Sequence, residues 1–206
     1  MSIEVVIDKV IARPAEDVFA RISDLDGWPR WLIASGIVAV VRTPRVGLED
    51  LDPPEHPLLV VLEGVEKPGN LGAILRTADG AGVDAVIAAD PLTDAFNPSA
   101  IRASLGTIFS LPVVTATSAE TLGWLGRRGI RPVAAIVEAA IPYTDADLRG
   151  PIAIVLGSEA GGLSEAWRQA DVTAVSIPMA GIGDSLNVSV AGAVLLFEAV
   201  RQRRVT

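Results

Sequence analysis

Six short apolar runs dominate the chain from Leu58 onward: "LLVVLEGV", "AVIAAD", "LPVVTA", "PVAAIVEA", "IAIVLG" and "AVSIPM". Helix-length segments and Gly-rich turns separate them, and within each run apolar residues follow one another without polar alternation. A strand wetted on one face alternates, whereas a strand covered on both faces does not, so the pattern implies a parallel sheet sandwiched between helices. The expectation is an α/β domain over residues 58–206, with ligands bound at the carboxyl ends of its strands.

Composition narrows the chemistry. Half of the 206 residues are apolar, none is Cys and one is His, which leaves no disulfide framework, no thiolate chemistry and no His-based metal site or triad. No metal is expected. The formal charge is -8, and from Leu58 onward 11 basic residues face 15 acidic ones, so broad nonspecific nucleic-acid binding is disfavoured. Local clusters at Arg127, Arg128 and Arg131, and at Arg201, Arg203 and Arg204, read as RNA contacts or as solvated helix ends. No stretch reaches the roughly 18 consecutive apolar residues of a membrane span, and "MSIEVVIDKV" lacks a signal-peptide pattern, so a cytoplasmic protein is expected.

Ahead of the α/β domain, residues 1–33 read as a short extension: a strand in "IEVVIDKVIA", a helix opened by Pro14 and a turn at "DGWPRW". Residues 34–57, with four prolines and an acidic run, read as an extended connector.

Three strand ends carry polar and glycine-rich constellations. In "EGVEKPGNLGAILRTADGAG", Pro68 and Gly69 make a turn, Asn70 is a candidate helix N-cap and Gly72 leaves bare backbone for close approach. Arg76 in that helix is either a surface partner of Asp79 or an anion grip. In "IAIVLGSEAGGLSEAW" a strand runs into Gly157, Gly161 and Gly162, with Glu159 between them. Leu163 stands where a phosphate loop needs Lys, and GxGxxG is absent, so neither a P-loop nor a dinucleotide fingerprint is present. In "IPMAGIGDSLNVSVAGAVLLFE", Asp184 or Ser185 is the expected cap of a helix with apolar positions Leu186, Val190, Val194 and Phe197, while Ser189, Gly192 and Ala193 leave one side without bulk.

Taken in order, "PGNLGAILRTADGAG", "IVLGSEAGGLS" and "IPMAGIGDSLNVSVAGAVLLFE" resemble the three motifs of the SpoU (TrmH-like) branch of the SPOUT RNA methyltransferases, and "NPSAIRASLGTIFSLPVV" is similar to the segment between the first two. The likeness spans residues 35–206 and implies a mostly parallel sheet whose C-terminal part is tied into a deep trefoil knot, against the general rule that chains do not knot. It implies an S-adenosylmethionine-dependent ribose 2′-O-methyltransferase acting on rRNA or tRNA, working as a homodimer. Cofactor contacts are implied at Leu156, Gly157, Ile177, Met179, Leu186 and Ser189. Catalysis and ribose binding are implied at Asn70, Arg76, Glu159, Ser185 and Asn187. Residues 1–33 resemble instead the opening of a polyketide cyclase/START-like (SRPBCC) fold; the simpler reading is an accessory strand and helix anchored by Trp28 and Trp31. Family members acting on rRNA usually carry an N-terminal RNA-binding domain of roughly a hundred residues, so the competing reading is a knotted binding protein that has lost catalysis.

Overall fold

The computed structural model describes residues 46–204 and, as backbone, two strands ahead of them. Those strands, β1 (Arg30–Ala34) and β2 (Ile37–Val41), pair antiparallel from Arg30↔Val41 to Ala34↔Ile37. This hairpin straddles the junction at residues 33 and 34 and takes in part of the stretch expected to be a plain extended connector. The strand, the helix at Pro14 and Trp28, and the side chain of Trp31, lie outside the described residues.

All six apolar runs form strands: β3 (Leu58–Glu63), β4 (Ala85–Ala89), β5 (Val113–Ala116), β6 (Arg131–Ala135), β8 (Ile152–Leu156) and β9 (Thr173–Ser176). The two-residue β7 (Ile141–Pro142), too short to leave a sequence signature, adds an edge. The order β5-β4-β3-β8-β6-β9-β7 is parallel throughout. Successive side chains of β3 serve opposite cores. Leu58, Val60 and Leu62 join one cluster with Leu71, Ile74, Leu75, Leu195 and Leu196; Leu59 and Val61 join the other with Trp124, Leu125 and Trp167. That is why the run shows no polar alternation: each fully buried Val or Leu contributes about 1.5–3 kcal/mol, and a polar residue on either face would forfeit it.

The helices are α1 (Pro68–Ala81), α2 (Pro98–Ala103), α3 (Ser118–Arg127), α4 (Glu165–Gln169) and α5 (Val188–Arg204). Gly72 is explained by α2. A Cβ there would stand 2.4 Å from the Ala103 Cβ and 2.7 Å from the Ala100 carbonyl oxygen, so the close approach left open by the sequence is helix on helix. Gly192 lets α5 close on the sheet, where a Cβ would meet Leu156 Cδ1 of β8 at 2.9 Å.

The chain runs outward from β3 to β5, then crosses to lay down β6 and the edge strand β7 on the other side, and β8 enters between β3 and β6, so the order reverses between β3 and β8. At such a reversal the loops leaving two neighbouring strands diverge and open a crevice. After β9, residues 177–187 come back past the tip of β8, and α5 packs on α1 and β8. The sheet and its layers thus match the expectation, and the knot stands as the family's implication for this returning segment.

Candidate active site

Three loops meet at the reversal point, each shaped locally before it contributes a side chain. The first leaves β3 and enters α1, whose N-cap is Lys67 with Pro68 at the first helical position. The helix therefore begins earlier than an Asn70 cap requires. Asn70 sits within the first turn, and its carboxamide is free to reach outward.

The second loop leaves β8 and doubles back. Ser158 and Gly162 exchange both backbone hydrogen bonds at 3.0 Å, and Gly162 adopts φ +64°, a left-handed conformation that glycine takes at little cost. A Cβ on Gly157 would stand 2.2 Å from Gly162 C and 2.5 Å from both Gly162 O and Leu163 N, so only glycine fits beneath the returning strand. Glu159 stands at the tip.

The third loop ends at α5. Here the expected cap is corrected: the helix starts at Val188, and Asn187, not Asp184 or Ser185, caps it. Asn187 Oδ1 accepts the Ser189 N–H at 2.9 Å and the Ser189 hydroxyl at 2.6 Å, while its carbonyl accepts from the amides of Val190 and Ala191. Ser185 and Asp184 stay in the exposed loop, where the Ser185 hydroxyl donates to Asp184 Oδ1 at 3.2 Å. The proposed apolar stripe also faces away from the core: Val190 and Phe197 are exposed, and α5 buries Gly192, Leu195, Leu196 and Ala199 instead.

The loops are joined by one polar ring. Glu159 receives the Lys67 ammonium on Oε2 and the Asn70 amide on Oε1, and Asn187 Nδ2 donates to Glu159 Oε1 at 2.8 Å and to Asn70 Oδ1 at 3.3 Å. The Lys67 hydrogen bond, helped by the Asn70 amide and the Lys67 charge, holds the Glu159 carboxyl below its usual range against a smaller opposing effect of desolvation. The Glu159 hydrogen bond and charge raise Lys67 in turn. A depressed carboxylate keeps its contribution above its unfolded pKa and loses it as pH falls through the folded one; a raised ammonium keeps its contribution below its unfolded pKa and loses it as pH rises through the folded one. The ring is consequently intact across the whole neutral range. The Glu159 side chain is 27 % exposed and Lys67 more so, so the ion pair orients groups more than it stabilises the fold.

Beside the ring lies a cleft of about 520 Å³, lined by Leu156, Gly157, Glu159, Ile177, Met179, Ser185, Leu186 and Asn187, among others. Met179 and Leu186 are 38 % and 36 % exposed, apolar groups left facing the opening. Ser189, expected as a cofactor contact, is absent from the lining and instead hydrogen-bonds Asn187 through its amide and hydroxyl. Among the described residues no cluster of potential metal ligands occurs.

Arg76 lies outside both the ring and the cleft lining. It is exposed on α1 and makes no hydrogen bond or ion pair with any described residue; Asp79, its alternative partner, accepts the Ser110 hydroxyl at 2.8 Å. By contrast, both local basic clusters are largely consumed within the fold. Arg127 pairs with Glu49, Arg128 stacks 5.2 Å from the Trp124 ring centre, and Arg131 donates to the Asp147 carbonyl. Arg201 pairs with Glu198, and Arg203 donates to the carbonyls of His56, Pro57 and Gly150. Sequence reasoning missed Lys67 and Glu63, a buried carboxylate whose one visible signal is a lone charge closing an apolar strand.

Comparison with known proteins places this geometry. Residues 57–197 match the model of the SpoU rRNA Methylase family. The match leaves residues 1–33 uncovered, so the polyketide cyclase likeness gains no support. The chain is 46 % identical over 175 residues to the 23S rRNA (guanosine-2'-O-)-methyltransferase RlmB of Ralstonia nicotianae, covering 82 % of this chain and 70 % of that one. It is 36 % identical over 173 residues to a 23S rRNA (uridine(2479)-2'-O)-methyltransferase of Streptomyces viridochromogenes, covering 81 % and 60 %. Among solved structures, the SpoU methyltransferase AviRb from Streptomyces viridochromogenes in complex with the cofactor AdoMet superposes with a TM-score of 0.79 at 36 % identity, covering 83 % of this chain and 70 % of that one.

Proposed function

Because the chain belongs to the SpoU rRNA methylase family, we propose that it methylates a ribose 2′-hydroxyl of ribosomal RNA using S-adenosylmethionine. The observation that carries this reading is the convergence of Asn70, Glu159 and Asn187, from three separate loops, on one polar ring at the rim of an apolar-walled cleft.

The cleft fits the cofactor in size and character. Adenosine-sized ligands occupy concave, mostly apolar pockets of roughly 300–1,000 Å³ with a few placed polar groups, and here Ile177, Met179 and Leu186 supply apolar walls opposite the bare backbone of Gly157. Leu156, Gly157, Ile177, Met179 and Leu186 would hold S-adenosylmethionine, which supplies an electrophilic methyl on a sulfonium centre. What the protein adds is alignment: a displacement at carbon gains most from a nucleophile fixed in line with its target.

Asn187 is locked at both ends of its carboxamide, by Ser189 on one side and by Glu159 and Asn70 on the other, so it presents a fixed rim to the sugar. Asn70, Glu159, Ser185 and Asn187 then orient the hydroxyl and its neighbours. A guanidinium holds its proton and is a poor general base, so Arg76 is assigned to the phosphate beside the target ribose, where its charge also favours the developing alkoxide. Its freedom from partners within the described fold suits that task.

The protein works as a homodimer in the cytoplasm. The exposed face of α5, with Val190 and Phe197 on the same side of the helix, is the apolar surface for a second copy. No described helix is long and apolar enough to cross a membrane.

Incubating the purified protein with methyl-labelled S-adenosylmethionine and ribosomal RNA, then mapping the label, tests the reading. Ribose methylation at a discrete nucleotide is expected, and the map also identifies the base, which differs between the two relatives. Label on a base, or none on RNA, would overturn it.

A further inference from the structure

A buried carboxylate outside the polar ring holds the loop that carries Glu159. Glu63 closes the otherwise apolar β3 and is 7 % exposed. Its Oε2 accepts the Ser164 backbone N–H at 2.7 Å, and its Oε1 accepts the hydroxyls of Ser164 at 2.6 Å and Ser118 at 2.8 Å. Ser118 Oγ in turn accepts the Trp167 indole N–H at 3.1 Å. A carboxylate is costly to bury without partners, and this one has donors on both oxygens.

The source of those donors decides what the group does. Ser164 is the residue at which the Gly157 loop ends and α4 begins. The start of that loop is fixed by β8 and its middle by the Ser158–Gly162 bridge, and Glu63 fixes its far end. Glu63 also lines, together with Asn70, Gly157 and Glu159, the small cavity beneath the ring. β3 is an interior strand beside the central β8, and its residues from Leu58 to Leu62 are buried, so it is a well-packed place in the fold to tie a loop.

We propose that Glu63 is a positioning residue for methyl transfer, setting residues 157–164 through Ser164 so that Glu159 meets Asn70 and Asn187 and the Gly157 backbone faces the cleft. The inference rests on the methyltransferase reading above and adds to it a residue that touches neither cofactor nor RNA. Its role is geometric rather than a matter of charge. In Glu63→Gln, the remaining oxygen can accept the Ser164 N–H while the amide donates to the two hydroxyls, which can reverse; in Glu63→Ala the N–H and both hydroxyls lose their acceptor.

The test compares four variants by calorimetric binding of S-adenosylmethionine, single-turnover methyl transfer and thermal melting. Glu63→Gln is expected to bind within about twofold of the wild type, and Glu63→Ala on the order of tenfold more weakly with a slower chemical step. Ser164→Ala should shift affinity in the same direction by less. Trp167→Phe, which removes the outer link to Ser118 and some buried ring volume but leaves the Glu63–Ser164 bonds in place, should lower the melting temperature and leave affinity unchanged. A folded Glu63→Ala with wild-type affinity and rate would overturn the proposal, as would Glu63→Gln failing as badly as alanine. If Glu63→Ala does not fold, Ser164→Ala and Trp167→Phe decide: equal effects on affinity mean general packing and refute positioning. A wild-type protein that binds no S-adenosylmethionine refutes the methyltransferase reading itself, and the inference with it.

Discussion

Replacing Arg76 by alanine is expected to lower the rate of methyl transfer by about 10²–10³-fold, the usual consequence of removing one charged group that stabilises a developing oxyanion. Cofactor affinity, followed by calorimetry, should stay nearly unchanged, because Arg76 lies outside the cleft lining. Stability should move by less than about 0.5 kcal/mol, since the side chain is exposed and makes no hydrogen bond or ion pair with a described residue. This triple signature separates a phosphate grip from a cofactor ligand and from a structural arginine. A parallel loss of S-adenosylmethionine binding would show that the role assigned to Arg76 is wrong. Arg203 supplies the contrast, since its guanidinium is spent on carbonyls at the start of β3 and before β8, and removing it should unfold rather than disarm.

The second large effect is expected at Gly157. Any side chain there begins with a Cβ 2.2 Å from the backbone of Gly162, and backbone cannot swing aside as a flexible side chain can. Gly157→Val should therefore destabilise the protein by about 1–3 kcal/mol and push the loop of residues 157–164 out of register, weakening S-adenosylmethionine binding on the order of 100-fold. Even alanine should show the same direction, which calorimetry and melting curves measure together. Wild-type affinity in Gly157→Val would mean that the loop does not form the cofactor wall.

The sheet was legible because burial on both faces leaves a direct trace: Leu59 and Val61 serve one core and Leu58, Val60 and Leu62 the other, so no polar residue interrupts the run. The three loops were legible through their glycines and amides. Less so were the helix starts. Pro68 at the first helical position moves the cap back to Lys67, and among three polar candidates before α5 the one that caps is the last, Asn187. What no local pattern carries is pairing across the chain. Asn70 reaches Glu159 over 89 residues and Glu63 reaches Ser164 over 101, and both depend on the sheet order that sets β3 beside β8. The exposed Val190 and Phe197 depart from the usual reading of helical apolar spacing, since the face of α5 turned to the core is Gly192, Leu195, Leu196 and Ala199.

At the centre of this account is one spatial claim: the donor of the methyl group sits between the loop of residues 157–164 and the loop of residues 177–187, with its reactive end toward Glu159 and Asn187. A crystal structure of the protein with S-adenosylmethionine tests it most directly. The account predicts the ligand against Leu156, Gly157, Ile177, Met179 and Leu186, with the sulfonium methyl opening onto the Asn70–Glu159–Asn187 ring; a ligand seated elsewhere, or one whose methyl faces away from that ring, would contradict it.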